Sequence, residues 1–144
     1  MSDSALTPFH LAIPVHDLAL ARQFYGQLLG CTEGRSAAQW VDFNFYGHQL
    51  VVHLDPGARP SQSHNLVDGD AVPIPHFGVV LRPADWRLLA ERLRNAGQAF
   101  LLEPQTRFAG QAGEQSTMFF SDPSGNALEF KAFADINRML FANS

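Results

Sequence analysis

Scarcity sets the first bounds on this chain. One cysteine, Cys31, stands among 144 residues, so no disulfide can form within the chain, and the stapled framework of a small secreted domain is excluded. Positive charge is thin and scattered: ten Lys and Arg against fourteen Asp and Glu give a formal charge of -4. A nucleic-acid backbone as main partner requires clustered cations, so that class is set aside. No apolar run approaches the roughly 20 residues that span a bilayer, and the opening MSDSALTPF has no basic segment followed by an apolar one. These absences predict a cytoplasmic, soluble protein with no nucleic-acid and no membrane partner. Tyrosine and tryptophan are sparse too, two of each, whereas phenylalanine reaches twelve, which suits a packed core and an apolar pocket.

With 46% hydrophobic and 17% charged residues, a chain of this length reads as a single domain over residues 1–144. It can bury roughly two thirds of the surface that it exposes when unfolded. The clearest local signal lies near the end, in Ser116–Phe133, STMFFSDPSGNALEFKAF. Asp122, Pro123, Ser124 and Gly125 form a turn between two apolar runs, because proline presets φ and glycine reaches positive φ without steric cost. The stretch predicts a β-hairpin. Along its second strand, Asn126–Phe133, alternation puts Leu128, Phe130 and Ala132 on one face and Ala127, Glu129, Lys131 and Phe133 on the other. A carboxylate in mid-strand between Leu128 and Phe130 is costly to bury unless it is paired, hydrogen-bonded or bound to a metal.

From the start, Phe9–Val15 (FHLAIPV) predicts a buried strand broken at Pro14. Asp17 then caps a helix over Leu18–Leu29, whose apolar residues recur at helical spacing until Gly30. A weak strand near Thr32–Arg35 follows, then stronger ones at Trp40–Phe45 and Gln49–Leu54, joined at Tyr46, Gly47 and His48. The four prolines within 55–75 predict a connecting loop, of the kind that serves as linker or lid. Ile74–Arg82 begins a second series: a strand, a helix over Ala84–Ala96, a short strand at Ala99–Leu102, an irregular loop at Glu103–Glu114, and the terminal hairpin. A short C-terminal helix falls within 134–142. The order β-α-β-β-β thus occurs twice, module one over about 8–55 and module two over about 74–133. The prediction is an α+β fold in which two tandem βαβββ modules form a mixed eight-stranded incomplete barrel, with helices outside and a groove within.

Each module opens on an apolar strand with one histidine, His10 and His76. Both lie opposite the bulky apolar face and have a small residue two positions on, as Glu129 has Ala127 nearby. Two imidazoles and one carboxylate converging from rigid strands hold a divalent metal on one side and leave positions open for substrate oxygens. A hydrogen-bonded core histidine explains either residue alone, but not the matched pair with Glu129. Lys131 shares the face of Glu129 and serves either that carboxylate or an anionic substrate. Arg107, in the Glu103–Glu114 loop, carries a planar fork suited to a carboxylate. With Phe119 these two are the expected substrate-binding residues. His64, Asn65, Asp68 and Asp70 fall in the long loop, and Cys31 reads as a small buried hydrophobe.

The segments FHLAIPVHDLALARQFYGQLLG, HFGVVL and MFFSDPSGNALEF together resemble the paired modules of the vicinal oxygen chelate superfamily, which includes glyoxalases, extradiol dioxygenases and bleomycin or fosfomycin resistance proteins. The resemblance covers nearly the whole chain outside the 55–75 loop, and its DPxGNxxE element marks the superfamily rather than one activity. It implies His10, His76 and Glu129 as metal ligands, with Fe2+ as the first-choice ion and Zn2+, Ni2+ or Mn2+ as the others. Glyoxalases take a further ligand from the fourth strand. Here His53 is that ligand, which implies a lyase or isomerase, or a neighbouring acid/base, or a hydrogen-bonded histidine with no direct role. Extradiol dioxygenases carry a His and a Tyr where this chain has Gly110–Gln115 and Phe119, so catechol ring cleavage by that route is not implied. Lys131 alone stands near the DPSGN element as a cation, which argues against a phosphonate-modifying resistance enzyme. The resemblance thus implies a homodimeric, divalent-metal-dependent enzyme for a small substrate that chelates through vicinal oxygens, dioxygenase-like first and glyoxalase-like second. A non-catalytic small-molecule binding protein is the alternative.

Overall fold

The computed structural model describes residues 6–58, 63–67 and 70–142. The chain divides into two compact units, Met1–Pro60 and Ser61–Ser144. Each contains a mixed sheet with a helix against it, which is the expected α+β class. No described helix is long and apolar enough to cross a membrane.

In the first unit the strands are β1 (His10–Val15), β2 (Thr32–Ala37), β3 (Trp40–Phe45) and β4 (His48–Leu54), in the order β1-β4-β3-β2. β1 runs parallel to β4 and the other pairs are antiparallel. Helix α1 (Leu18–Ala21) starts where Asp17 Oδ1 accepts the Leu20 amide at 3.0 Å, and it continues as a π-helical stretch over Arg22–Leu28. Ile13, Val15, Val41, Phe43, Leu50 and Val52 are buried, and Tyr25 from the π-helical stretch packs its ring 5.7 Å from that of Phe43. Burying side chains of this size stabilises by about 1.5–3 kcal/mol each. Strand alternation then leaves His10, Ala12, Gln49 and His53 on the exposed face. Tyr46 and Gly47 join β3 to β4 with φ of 54° and 90°, the positive pair that a two-residue hairpin needs to match strand twist.

The second unit opens on a hairpin of β5 (Ser63–Val67) and β6 (Asp70–Ile74). Then come β7 (His76–Phe77), β8 (Val80–Leu81), α2 (Pro83–Asn95), β9 (Leu102–Arg107), β10 (Gln115–Ser121), β11 (Ala127–Phe133) and the short α3 (Ile136–Met139). The sheet order is β7-β11-β10-β9, with β8 also on β11. α2 buries Trp86, Leu89, Ala90 and Leu93, the stripe that its spacing predicts. Trp86 Nε1 donates to the Phe130 carbonyl at 2.9 Å, tying helix to sheet. The β10–β11 turn is held by Asp122, whose Oδ1 accepts the Ser124 and Asn126 amides, both at 2.9 Å.

Three expectations change. The 55–75 segment is not only loop, since β5 and β6 pair within it; Asp68 lies outside the described residues. The strand expected at Ala99–Leu102 begins at Leu102 and runs to Arg107, so Arg107 ends a strand rather than sitting in a loop. β9 is an edge strand whose register shifts opposite Thr117–Phe119, and an edge with a bulge tolerates Pro104. Eleven strands rather than eight occur among the described residues, because that hairpin adds two and the fifth expected strand is interrupted after Phe77.

Candidate metal centre

The interruption falls at Gly78, where this strand closes on the backbone of β11. β7 and β8 pair with β11 in one register, His76 opposite Ala127 and Val80 opposite Lys131, which sets Gly78 opposite Glu129. A Cβ on Gly78 would fall 1.7 Å from the Glu129 carbonyl oxygen. Only glycine permits this approach of two backbones.

The same register brings two expected ligands together. His76 Nε2 lies 3.2 Å from Glu129 Oε1, with the side chains 28% and 15% exposed. His76 Nδ1 is 2.7 Å from the Pro73 carbonyl oxygen. A carbonyl only accepts, so Nδ1 carries the proton. In the neutral ring Nε2 therefore turns a lone pair toward a carboxylate oxygen, and a proton or a cation must reconcile them. Two donors about 2.0–2.1 Å from one ion and at right angles stand roughly 3 Å apart, so the spacing fits a shared metal. A histidine whose second nitrogen is tied to a carbonyl is also the usual form of a metal-bound imidazole. Glu129 is oriented in turn: its Oε2 accepts from Thr117 Oγ1 at 2.5 Å. Phe119 is buried and its ring meets the His76 ring edge-on at 5.0 Å, so it backs the imidazole.

Cross-strand partners share a face. Lys131, Thr117 and Gln105 form one row beside Glu129, and Phe133, Gln115 and Arg107 the next. Lys131 Nζ stands 5.6 Å from the centre of the Phe133 ring and makes no salt bridge among the described residues. The Arg107 guanidinium lies 4.9 Å from the Phe108 ring.

His10 is exposed on β1, its Nδ1 2.8 Å from Gln49 Oε1, and Gln49 Nε2 donates to Asp42 Oδ2 at 3.3 Å. β1 pairs with β4 as β7 and β8 pair with β11, His10 opposite Gln49, Ala12 opposite Val51 and Pro14 opposite His53. Counting two residues on from the partner of each histidine, Val51 occupies on β4 the position that Glu129 holds on β11. His53 occupies that of Lys131.

A family model described as the Glyoxalase/Bleomycin resistance protein/Dioxygenase superfamily matches residues 7–130. The chain belongs to this superfamily. Among solved structures, a glyoxalase/bleomycin resistance protein/dioxygenase from Alicyclobacillus acidocaldarius is 34% identical, with 94% of this chain and 96% of that one covered and a TM-score of 0.75. A glyoxalase/dioxygenase from Nostoc punctiforme is 20% identical over 94% of this chain and 100% of that one, with a TM-score of 0.67. A lactoylglutathione lyase from Agrobacterium tumefaciens is 17% identical over 91% and 96%, with a TM-score of 0.63. The last two likenesses speak to fold alone. No curated protein matches the chain.

In this superfamily member no group of three His, Cys, Asp or Glu able to hold a metal occurs among the described residues. Of the three expected ligands, His76 and Glu129 meet, and His10 belongs to the other unit. Sequence reasoning missed Thr117, Gln49, Asp42 and the Pro73 carbonyl as partners of the expected ligands. Alternation does place Gln49 on the face of His53, but pairing it with His10 requires the β1–β4 register.

Proposed function

We propose that this superfamily member is a divalent-metal-dependent enzyme of dioxygenase type, with His10, His76 and Glu129 as its metal ligands. Its substrate is a small molecule that chelates the ion through vicinal oxygens. The observation that carries the reading is the His76–Glu129 pair, an imidazole Nε2 lying 3.2 Å from a carboxylate oxygen, with both groups held from behind by Pro73 and Thr117. The choice of three ligands rests on Val51, an apolar residue at the β4 position equivalent to Glu129. Two histidines and one carboxylate with open positions are the donor set of non-haem iron oxygenases, so Fe2+ is the first-choice ion. When bound, the ion acts as a Lewis acid on substrate oxygens.

The chain supplies the rest. His53, level with Lys131 in the repeat, serves as an acid/base beside the site rather than as a ligand. Lys131, the one lysine of the chain, holds an anionic group of the substrate, with Arg107 one row further along the same face. Phe119 keeps the His76 ring in place.

Metal analysis after purification without chelator tests the assignment. The wild-type protein should carry a bound divalent ion and Glu129→Ala should lose it. Oxygen uptake with a panel of small diols and hydroxy acids should require His76 and Glu129. Lys131→Gln should raise KM for acidic substrates while metal content stays whole. Full metal retention by Glu129→Ala would sink the site assignment. Isomerase activity on hemithioacetals without oxygen uptake would move the reaction to the glyoxalase type.

A further inference from the structure

Asp42 and Gln49 have no place in the ligand set, yet they form an ordered chain that ends on His10. A carboxylate can only accept, so the Gln49 group 3.3 Å from Asp42 Oδ2 is the donating amide nitrogen. That turns Gln49 Oε1 toward His10 Nδ1 at 2.8 Å. The amide oxygen can only accept as well, so Nδ1 carries the proton and Nε2 keeps the lone pair that a metal requires. Backbone pairing holds the chain in place: Gln49 sits opposite His10 across β1–β4, and Asp42 sits opposite Val51, the next residue along the same face of β4. Asp42 and Gln49 lie in the wall of an open hollow of about 340 Å³ that Asn44 and His48 also border.

The geometry points to Asp42 and Gln49 as positioning residues that set the tautomer of His10, so that Nε2 rather than Nδ1 would be the nitrogen left to hold a divalent ion. This rests on the metal reading given above. The backbone carbonyl of Pro73 performs the same task for His76. A carbonyl cannot be removed by substitution, whereas the side-chain relay can.

Two measurements on the full chain test the relay: 15N shifts of the His10 ring at a pH where imidazole is neutral, and Zn2+ affinity by calorimetry. The wild type should show a protonated Nδ1 and a bare Nε2. Gln49→Leu should move the proton to Nε2 and weaken Zn2+ binding about 10–100-fold, the usual effect of losing a partner behind a metal ligand. Gln49→Glu, whose oxygens also only accept, should keep the wild-type tautomer. Asp42→Ala frees the amide to turn and should give mixed tautomers with an intermediate loss. An unchanged His10 tautomer in Gln49→Leu overturns the proposal. So does wild-type Zn2+ affinity in that variant when Glu129→Ala has lost it. If the wild type takes up no Zn2+, the metal reading falls and the tautomer shift alone decides the relay.

Discussion

Replacing Gly78 by alanine is the sharpest test of how the site is built, because one methyl group is aimed at the backbone that carries Glu129. The added Cβ would stand 1.7 Å from the Glu129 carbonyl oxygen, whereas real Cβ contacts essentially never fall below 3.0 Å. One backbone must therefore retreat by at least about 1.3 Å. β11 lies between β10 and the β7–β8 strand, so the cheaper movement is of the β7–β8 edge, which takes His76 with it. Either movement opens the 3.2 Å approach of His76 to Glu129. Forcing a methyl into packed structure costs about 1–3 kcal/mol, and disturbing the groups that orient a metal ligand costs about 10–100-fold in metal affinity. Gly78→Ala should thus lower the free energy of urea unfolding by that amount and weaken metal binding about 10–100-fold, read by calorimetry. Gly113→Ala is the control, since its nearest outside atom would be Met139 Cε at 3.9 Å; it should leave both unchanged. Wild-type stability and metal affinity in Gly78→Ala would refute the reasoning that this glycine sets the ligand spacing.

Other expectations follow from single contacts. Thr117→Val removes the donor to Glu129 Oε2 while keeping the side-chain shape, and should weaken metal binding about 10-fold; an unchanged calorimetric affinity would deny Thr117 an orienting role. Burial pushes the Cys31 thiol up to about 11 from its ordinary 9.0, so the folded chain holds this proton more tightly than the unfolded one. The resulting stability is complete below pH 9 and lost as pH rises through 11, about 2–3 kcal/mol at most. Urea unfolding across that range should show the decline in the wild type, and Cys31→Ala should lack that component of it; parallel curves would count against it. Trp86→Phe removes the buried donor to the Phe130 carbonyl and should cost about 1–3 kcal/mol in urea unfolding; an unchanged unfolding free energy would deny this bond a stabilising role.

Much of the architecture is legible in local chemistry. The α2 stripe of Trp86, Leu89, Ala90 and Leu93 and the Asp122–Gly125 turn follow from helical spacing and from what proline and glycine do to φ. β9 was hidden because LEPQTR is an edge strand, polar on both faces, whose proline argues against pairing until the bulge is seen. The β5–β6 hairpin was masked by the prolines within and beside it, Pro73 in β6 and Pro75 just after. The π-helical stretch over Arg22–Leu28 leaves the apolar spacing almost unchanged, and periodicity cannot report it.

By itself, the sequence determined which residue types stand on which face: alternation sets His10 and His76 opposite the bulky apolar side chains of their strands and puts Glu129 and Lys131 on one face with Phe133, and the repeat marks the histidines as equivalent. Alternation is a property of one strand, and it carries no information about which residue lies opposite on the next. Tertiary pairing decided that. It put Gly78 against Glu129, Gln49 beside His10, and His53 level with Lys131 instead of Glu129. Register between strands distant in the chain is set by matching the buried faces of several strands at once and by the turns that join them, not by any one segment.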